Sequence, residues 1–202
     1  MKIGPKFKIA KRLGAPVFPK TQTQKFALSE ARGGRNRKRR PGQTSDYKRQ
    51  LIEKQKMRYM YNIAEKHLRR YVNESIEYSQ QPADALLKRL ESRLDNVVFR
   101  LGLAKTRQMA RQMVSHGHIV VNGRKLNVPS HKVSIGDTIA VRDGSRESIV
   151  FTTLPDAHEL ASVPSWLAFD IKTLTGTVKQ APTVEPTELL FDTAQVLEYY
   201  SR

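Results

Sequence analysis

Asn122-Gly123 sits between two strand-like runs, Ile119-Val120-Val121 and Arg124-Lys125-Leu126, and constrains the chain more than any other short stretch. A two-residue link of this composition is the strongest short-range signal for a tight β-hairpin, because both turn residues must take positive φ. The residues before it enlarge the unit. Thr106 can cap a helix that buries Met109, Ala110, Met113 and Val114, turns Arg107, Gln108, Arg111, Gln112 and Ser115 outward, and stops at Gly117. Upstream, Leu87, Leu90, Leu94, Val97, Val98 and Leu101 recur at three- and four-residue steps, while Arg89, Arg93, Asn96 and Arg100 line another face until Gly102. Residues 92–126 therefore predict two helices and a hairpin around one small core.

Charge gives this unit a direction. Between Asp95 and Asp137 there is no carboxylate, yet Arg100, Lys105, Arg107, Arg111, Arg124, Lys125 and Lys132 all fall there, which suggests a phosphate-binding surface. The whole chain carries 36 Lys and Arg against 19 Asp and Glu, a net of +17. All of that excess lies in residues 1–72, where 21 cations meet only Glu30, Asp46, Glu53 and Glu65. From Glu147 onward the balance reverses to −5, so the C-terminal part is expected to pack on the protein or face a basic protein partner. The polyanion that fits such a chain is nucleic acid; no apolar run approaches the ~20 residues a membrane span requires.

Residues 1–45 show no clear apolar period, and Arg32-Gly33-Gly34-Arg35-Asn36-Arg37-Lys38-Arg39-Arg40-Pro41-Gly42 reads as a basic extension that orders only in RNA grooves. Phe7, Ile9 and Leu13 among Lys6, Lys8, Lys11 and Arg12 hint at some packing. From Asp46 to about Tyr78 the composition favours helix, broken near Tyr61-Asn62, with Leu51, Ile63, Leu68, Tyr71 and Val72 as core. Tyr59, Tyr61, Tyr71 and Tyr78 read as packing residues rather than base-stacking ones. Pro82 suits the first turn of the helix that carries the leucine face. Beyond the hairpin, Val133–Asp137 reads as a strand ending in a turn, Thr138–Val141 as another strand, Gly176-Thr177-Val178 as strand-like, and Trp166 as a packing anchor.

Marks of an enzyme are missing: there is no phosphate-binding G-x-x-x-x-G-K-[ST] loop, no H-E-x-x-H and no cysteine. Without cysteine, disulfides and thiolate metal sites are excluded. His116-x-His118 lacks convincing third and fourth ligands among His67, His131 and His158, so no metal and no cofactor are expected. Met1-Lys2-Ile3-Gly4-Pro5 lacks the apolar stretch of a secretory signal, which points to the cytosol or the interior of an organelle that makes its own proteins. The helix pair superficially imitates a DNA-reading helix-turn-helix, but a hairpin and a basic extension fit a folded RNA, read through shape, phosphates and 2′-hydroxyls.

Thr106-Arg107, Ala110-Arg111-Gln112, Gly117, Val120-Val121-Asn122-Gly123 and Gly136-Asp137 together resemble the small RNA-binding module named after ribosomal protein S4. Enzymes that carry this module as an accessory lack the other matching segments: Ile3-Gly4-Pro5-Lys6-Phe7-Lys8-Ile9, Pro41-Gly42-Gln43, Ser45-Asp46-Tyr47, Glu53-Lys54-Gln55-Lys56, Pro164-Ser165-Trp166-Leu167 and the end from Gln195. These resemble the S4 ribosomal family itself, in the form without a zinc site.

The resemblance implies an α+β fold: a basic extended N-terminus over 1–45, a helical domain over 46–91 completed by 176–202, and over 92–175 an RNA-binding domain of two helices packed on a short antiparallel sheet. It further implies a structural protein of the small ribosomal subunit that binds the 5′ domain of its RNA early in assembly. Such a protein would lie near the mRNA entry and contact the S5 protein, with consequences for decoding accuracy; no membrane or small-molecule substrate is implied. A stand-alone RNA chaperone or translational repressor is the alternative. On this reading Arg93, Arg100, Lys105, Arg107, Arg111, Arg124 and Lys125 hold phosphates, and Gln112, Ser115, His118 and Asn122 meet sugars or base edges, Asn122 being equally explained by its turn. Lys6, Lys8, Lys11, Arg12, Arg35, Arg37, Lys38, Arg39, Arg40, Lys54, Lys56, Arg58, Thr106 and Lys132 complete the expected RNA-binding set.

Overall fold

The computed structural model describes residues 3–34, 45–148, 151 and 163–201, and these divide into two compact units. One comprises the N-terminal part to Leu86 with the segment from Val184; the other runs from Leu87 to Thr183.

The first unit is helical. Contrary to the expectation of an unfolded extension, α1 (Lys6–Leu13), a 3-10 turn (Pro19–Thr21) and α2 (Gln24–Gly34) are formed. Ala10, Leu13, Val17, Phe18 and Phe26 make a small buried cluster, joined by Phe7 and by Tyr59 of the next helix. Phe7 meets Phe26 at 5.4 Å between ring centroids, Phe18 meets Tyr59 at 5.6 Å, and Lys11 Nζ donates to the backbone oxygen and hydroxyl of Ser29, both at 2.8 Å. Closely spaced cations hid this apolar set from periodicity. Arg35, Arg37, Lys38, Arg39 and Arg40 lie outside the described residues.

Ser45 caps α3 (Asp46–Met60), which ends before Asn62 at φ +51, and α4 (Glu65–Tyr78) follows. The expected break at Tyr61-Asn62 is therefore present. Ile63, Leu68, Tyr71 and Val72 are fully buried, while Leu51 is only half-buried. α5 (Pro82–Glu91) opens on its proline. Near the C-terminus the helix Thr193–Tyr200, here α9, packs on α3 and α4, with Gln50 Nε2 donating to Glu198 at 2.9 Å and the Tyr200 hydroxyl to Glu65 at 2.7 Å.

In the second unit the leucine-rich helix is not continuous. It stops with α5 at Glu91, and α6 (Leu94–Arg100) restarts after Arg93, whose extended backbone forms a β-bridge with Lys132. Val133 N–H donates to Ser92 O at 2.8 Å and Leu94 N–H to His131 O at 2.9 Å, so a tertiary pairing supplies the partners a continuous helix would have given. Of the strand ending in a turn expected over 133–137 only the turn is present, at Ile135-Gly136; the extended pairing is a single bridge at Lys132. α7 (Arg107–Ser115) begins as expected: Thr106 Oγ1 accepts from Met109 N–H at 3.1 Å. Asn122 and Gly123 take φ of +50 and +75 and join β1 (Ile119–Val121) to β2 (Arg124–Lys125).

The sheet is antiparallel, ordered β2-β1-β3-β5-β4, with β3 Thr138–Val141, β4 Leu167–Asp170 and β5 Thr175–Val178; a short helix, α8 (Asp143–Arg146), follows β3. β5 lies between β3 and β4, so these residues belong to the sheet and not, as expected from 176 onward, to the helical domain. Gly176 has a packing reason: a Cβ there would lie 2.5 Å from Leu101 Cδ1, so the end of α6 rests directly on β5. Leu94, Val97, Leu101, Val114, Ile119, Ile139 and Trp166 are buried in the shared core.

Candidate nucleic-acid interface

Every residue from Glu91 to Val98 is buried, including five that are polar or charged. Glu91 is fully buried and accepts from Arg100 Nε at 2.9 Å, from Arg100 Nη2 at 3.2 Å and from Asn96 Nδ2 at 2.7 Å. Asn96 Oδ1 in turn accepts from Arg107 Nε at 2.7 Å, and Arg107 Nη2 stands 3.9 Å from Glu91. The Arg107 guanidinium lies over the Phe99 ring at 4.4 Å. Asp95 accepts from Arg93 Nε at 3.0 Å and Nη2 at 2.6 Å, with Arg111 Nη1 at 3.9 Å. The two carboxylates that precede the acid-free window are thus folded beneath the basic helix. Four guanidiniums share two carboxylates, so positive charge remains in excess and is held in place by groups with little access to water.

This geometry sorts the expected phosphate contacts. Arg93 is buried in its bidentate pair with Asp95, so it positions the loop and does not reach the surface. Arg100 is mostly occupied by Glu91, Arg107 is nearly as enclosed with its Nε held by Asn96, and Arg111 is the most open of the three, with only one edge near Asp95. Lys105, Gln112, Ser115, Arg124, Lys125 and Lys132 are exposed, and Thr106 serves as the cap. At the end of α7, Gly117 (φ +72) lets the Lys125 side chain pass over its backbone, which brings the hairpin against the basic helix.

His118 Nδ1 lies 3.0 Å from Ser145 Oγ. Burial, and then the nearby His116, Arg142 and Lys125, hold its imidazole below the ordinary histidine value, so the ring is neutral near pH 7. Asn122 is fully employed: Nδ2 donates to Asp137 at 2.8 Å and Oδ1 accepts from Thr138 N–H at 2.9 Å, which clamps the turn to the start of β3. The turn reading of Asn122 therefore accounts for its side chain.

In the helical unit Lys54 is buried, donates to Glu65 at 2.8 Å and lies 4.3 Å from the Tyr199 ring centroid. It is an internal anchor rather than a surface cation. Burial alone would raise the Glu65 carboxyl, but hydrogen bonds from Lys54 and Tyr200 and the charges of Lys54 and Arg58 hold it below the ordinary value. Lys56 pairs with Glu53 at 2.7 Å and Arg58 with Glu65 at 3.4 Å. Lys8 and Arg12 are exposed; Lys6 and Lys11 are half-buried, Lys6 5.9 Å from the Phe18 ring. Sequence reasoning missed an acidic cleft of about 470 Å³ in this unit, lined by Asp46, Arg49, Gln50, Asp192, Gln195 and Glu198. The reversal of net charge toward the C-terminus was its only sequence signal.

Comparison with known proteins agrees with this geometry. Residues 1–91 match the family described as ribosomal protein S4/S9 N-terminal domain, and residues 92–139 match the S4 domain. The chain is 43% identical over 204 residues to a protein of Roseiflexus castenholzii named small ribosomal subunit protein uS4, covering 99% of this chain and 98% of that one. Proteins of the same name from Chloroflexus aurantiacus, 42% identical, and Chromobacterium violaceum, 41% identical, are each covered to 98%, with 99% of this chain aligned.

Proposed function

The chain belongs to the ribosomal protein S4 family, and from that premise we propose that α7 and the β1–β2 hairpin seat it on the 5′ domain of small-subunit ribosomal RNA as a structural, early-binding protein. The observation that carries this reading is the basic face of α7, whose guanidiniums are braced from below by the buried Glu91 and Asp95. Braced cations lose less side-chain entropy when a phosphate arrives than free ones do. Arg107, Arg111, Arg124, Lys125, Lys105 and Lys132 meet phosphates, while Gln112 and Ser115 face sugars or base edges. The basic segment around Arg35, Arg37, Lys38, Arg39 and Arg40 reaches further RNA and the message near its entry.

The protein partner meets the other unit. The acidic cleft at the α3–α9 contact offers Asp192 and Glu198 beside Gln50, with Asp46 paired to Arg49 at its edge, and Gln50 Oε1 is buried without a hydrogen-bond partner among the described residues. That chemistry suits a basic segment of the neighbouring S5 protein, and a shift in this contact is how the protein bears on decoding accuracy.

The test is binding of the purified chain to the 5′ domain of small-subunit ribosomal RNA and to an unrelated structured RNA of equal length, across a salt series. Tight binding to the first that survives moderate salt, with the second lost, is expected. Equal and steeply salt-dependent binding to both refutes a specific site and favours an RNA chaperone.

A further inference from the structure

Met109, Gln112, Met113 and His116 recur at three- and four-residue steps, so they form one stripe along α7 and its C-cap. That stripe is one wall of a cavity of about 260 Å³ whose remaining lining is His118, Ser148 and Phe151. Three rings follow one another there: His116 and His118 lie 6.0 Å apart between centroids, and His118 meets Phe151 edge-on at 6.1 Å. The inner part is fixed. Met113 and Phe151 are buried, Ser145 Oγ holds His118 at Nδ1, and Phe151 N–H donates to Ser148 O at 2.8 Å. The outer part is open, with Gln112, His116 and Ser148 exposed and Met109 half-buried, so the polar groups that a ligand would meet are on the solvent side.

Size and surroundings define the ligand. Pockets for drug-sized ligands run to ~300–1,000 Å³, so this one suits a single ring system. Its lining carries no carboxylate. Lys125 and Arg142, both exposed and without an ion pair among the described residues, stand close enough to His118 to disfavour its protonation. Asp143 pairs with Arg146 at 3.2 Å, which leaves Glu147 as the acid nearest in sequence to Ser148. An uncharged flat ring carried between phosphates fits an aromatic and thioether cavity with cations beside it, and Gln112 joins the cavity to the face of α7 already assigned to RNA.

We propose that this cavity takes one unstacked base of the RNA bound along α7. The base stacks on the exposed His116 ring and rests against Met109 and Met113, while its edge meets the Gln112 amide. Flanking phosphates meet Lys125 and Arg142. Because the amide both donates and accepts, the cavity secures a splayed base without selecting its identity. The inference rests on the RNA-binding reading above and deepens it: His116 and Arg142 become contacts, and part of the affinity becomes independent of salt.

The chain has five methionines, and Met57, fully buried in the other unit, serves as the internal reference. With isotope-labelled methionine methyls in the full chain and 5′-domain RNA as the probe, the NMR signals of Met109 and Met113 should move upfield, as methyls over an aromatic ring do, and that of Met57 should not. At pH 8, which keeps histidine charge out of the comparison, His116→Ala should weaken RNA binding at least about fivefold, the low end for one stacked base, with an unchanged salt slope. His116→Phe should restore the affinity. Arg142→Ala should lower the slope by about 0.7 to 0.9 and leave the methyl shifts in place. Both positions are exposed, and circular dichroism checks the fold of each variant. Methyls that do not move upfield, the same upfield shifts with inorganic polyphosphate, or a His116→Ala loss that is absent or not restored by phenylalanine would each overturn the base site. If those fail while salt-resistant preference for the 5′ domain stands, only this inference is lost; if the preference is absent as well, the RNA-binding reading goes with it.

Discussion

Glu91→Gln tests whether the buried carboxylates act as a structural brace or only as neighbours of the basic face. Glu91 is fully buried, and its carboxylate accepts twice from Arg100 and once from Asn96, with Arg107 within 3.9 Å. Removing one partner of a buried ion pair costs about 3 to 5 kcal/mol, because the remaining charge is left without compensation. The glutamine keeps one acceptor oxygen, and the side chains of Arg100 and Arg107 retain 13% and 14% exposure, so the low end of that range, about 3 kcal/mol, applies here. For a cooperative unit of roughly 100 residues that corresponds to a fall in Tm of about 10 to 20 °C. RNA affinity at low salt should change little, because the loss of one negative charge beneath the basic face offsets the entropy cost of cations that are no longer braced. Urea unfolding and thermal circular dichroism give the stability, and a salt series with 5′-domain RNA gives the affinity. A loss below about 1 kcal/mol would refute the brace; a stable variant with weaker RNA binding would show that Glu91 acts on the contact itself.

Three further outcomes follow from the same geometry. Arg107→Ala with Arg111→Ala lowers the salt slope of RNA binding by about 0.7 to 0.9 for each lost phosphate contact. Because Arg107 also donates to Asn96, the double variant loses about 1 kcal/mol of stability rather than none, measurable by urea unfolding. Gly123→Val forces a β-branched residue to φ +75 and costs about 1 to 3 kcal/mol, or the folding of the second unit altogether; a variant as stable as the wild type would contradict the hairpin. His118, held below its ordinary value by burial, is neutral in the folded protein where the unfolded chain begins to protonate. Its contribution is therefore intact above about pH 6.5 and lost as pH falls below that, so the urea midpoint drops toward pH 5 and drops less in His118→Gln.

What could be read from the sequence was local. The Thr106 cap, the stop at Gly117 and the Asn122-Gly123 turn each depend on a few neighbouring residues, and each stands where the sequence places it. The break at Ser92-Arg93 was hidden because the leucine period runs straight through it; the competing partners come from His131 to Val133, distant in sequence. The N-terminal core was hidden by dilution, since Phe7, Ala10 and Leu13 alternate with lysines and an arginine whose charges dominate any average. Counting charges also misjudged the interface. The acid-free window begins just after Asp95, yet Glu91 and Asp95 lie under its helix in space. A signal was present: Glu91 and Asp95 lie four residues apart within an otherwise core-like stretch, which points to buried carboxylates that need cationic partners.

The most direct test of the central claim uses the absence of cysteine from the chain, so that a single introduced cysteine can carry a tethered iron chelate. Ser115→Cys places the probe at the exposed end of α7, and Lys172→Cys places it in the exposed turn at the far edge of the sheet from the hairpin. With 5′-domain RNA bound, hydroxyl radicals from Ser115→Cys should cut the RNA backbone strongly at a few clustered positions, and those from Lys172→Cys weakly or nowhere. Strong cutting from Lys172→Cys with none from Ser115→Cys would contradict the assignment of α7 and the hairpin to the RNA.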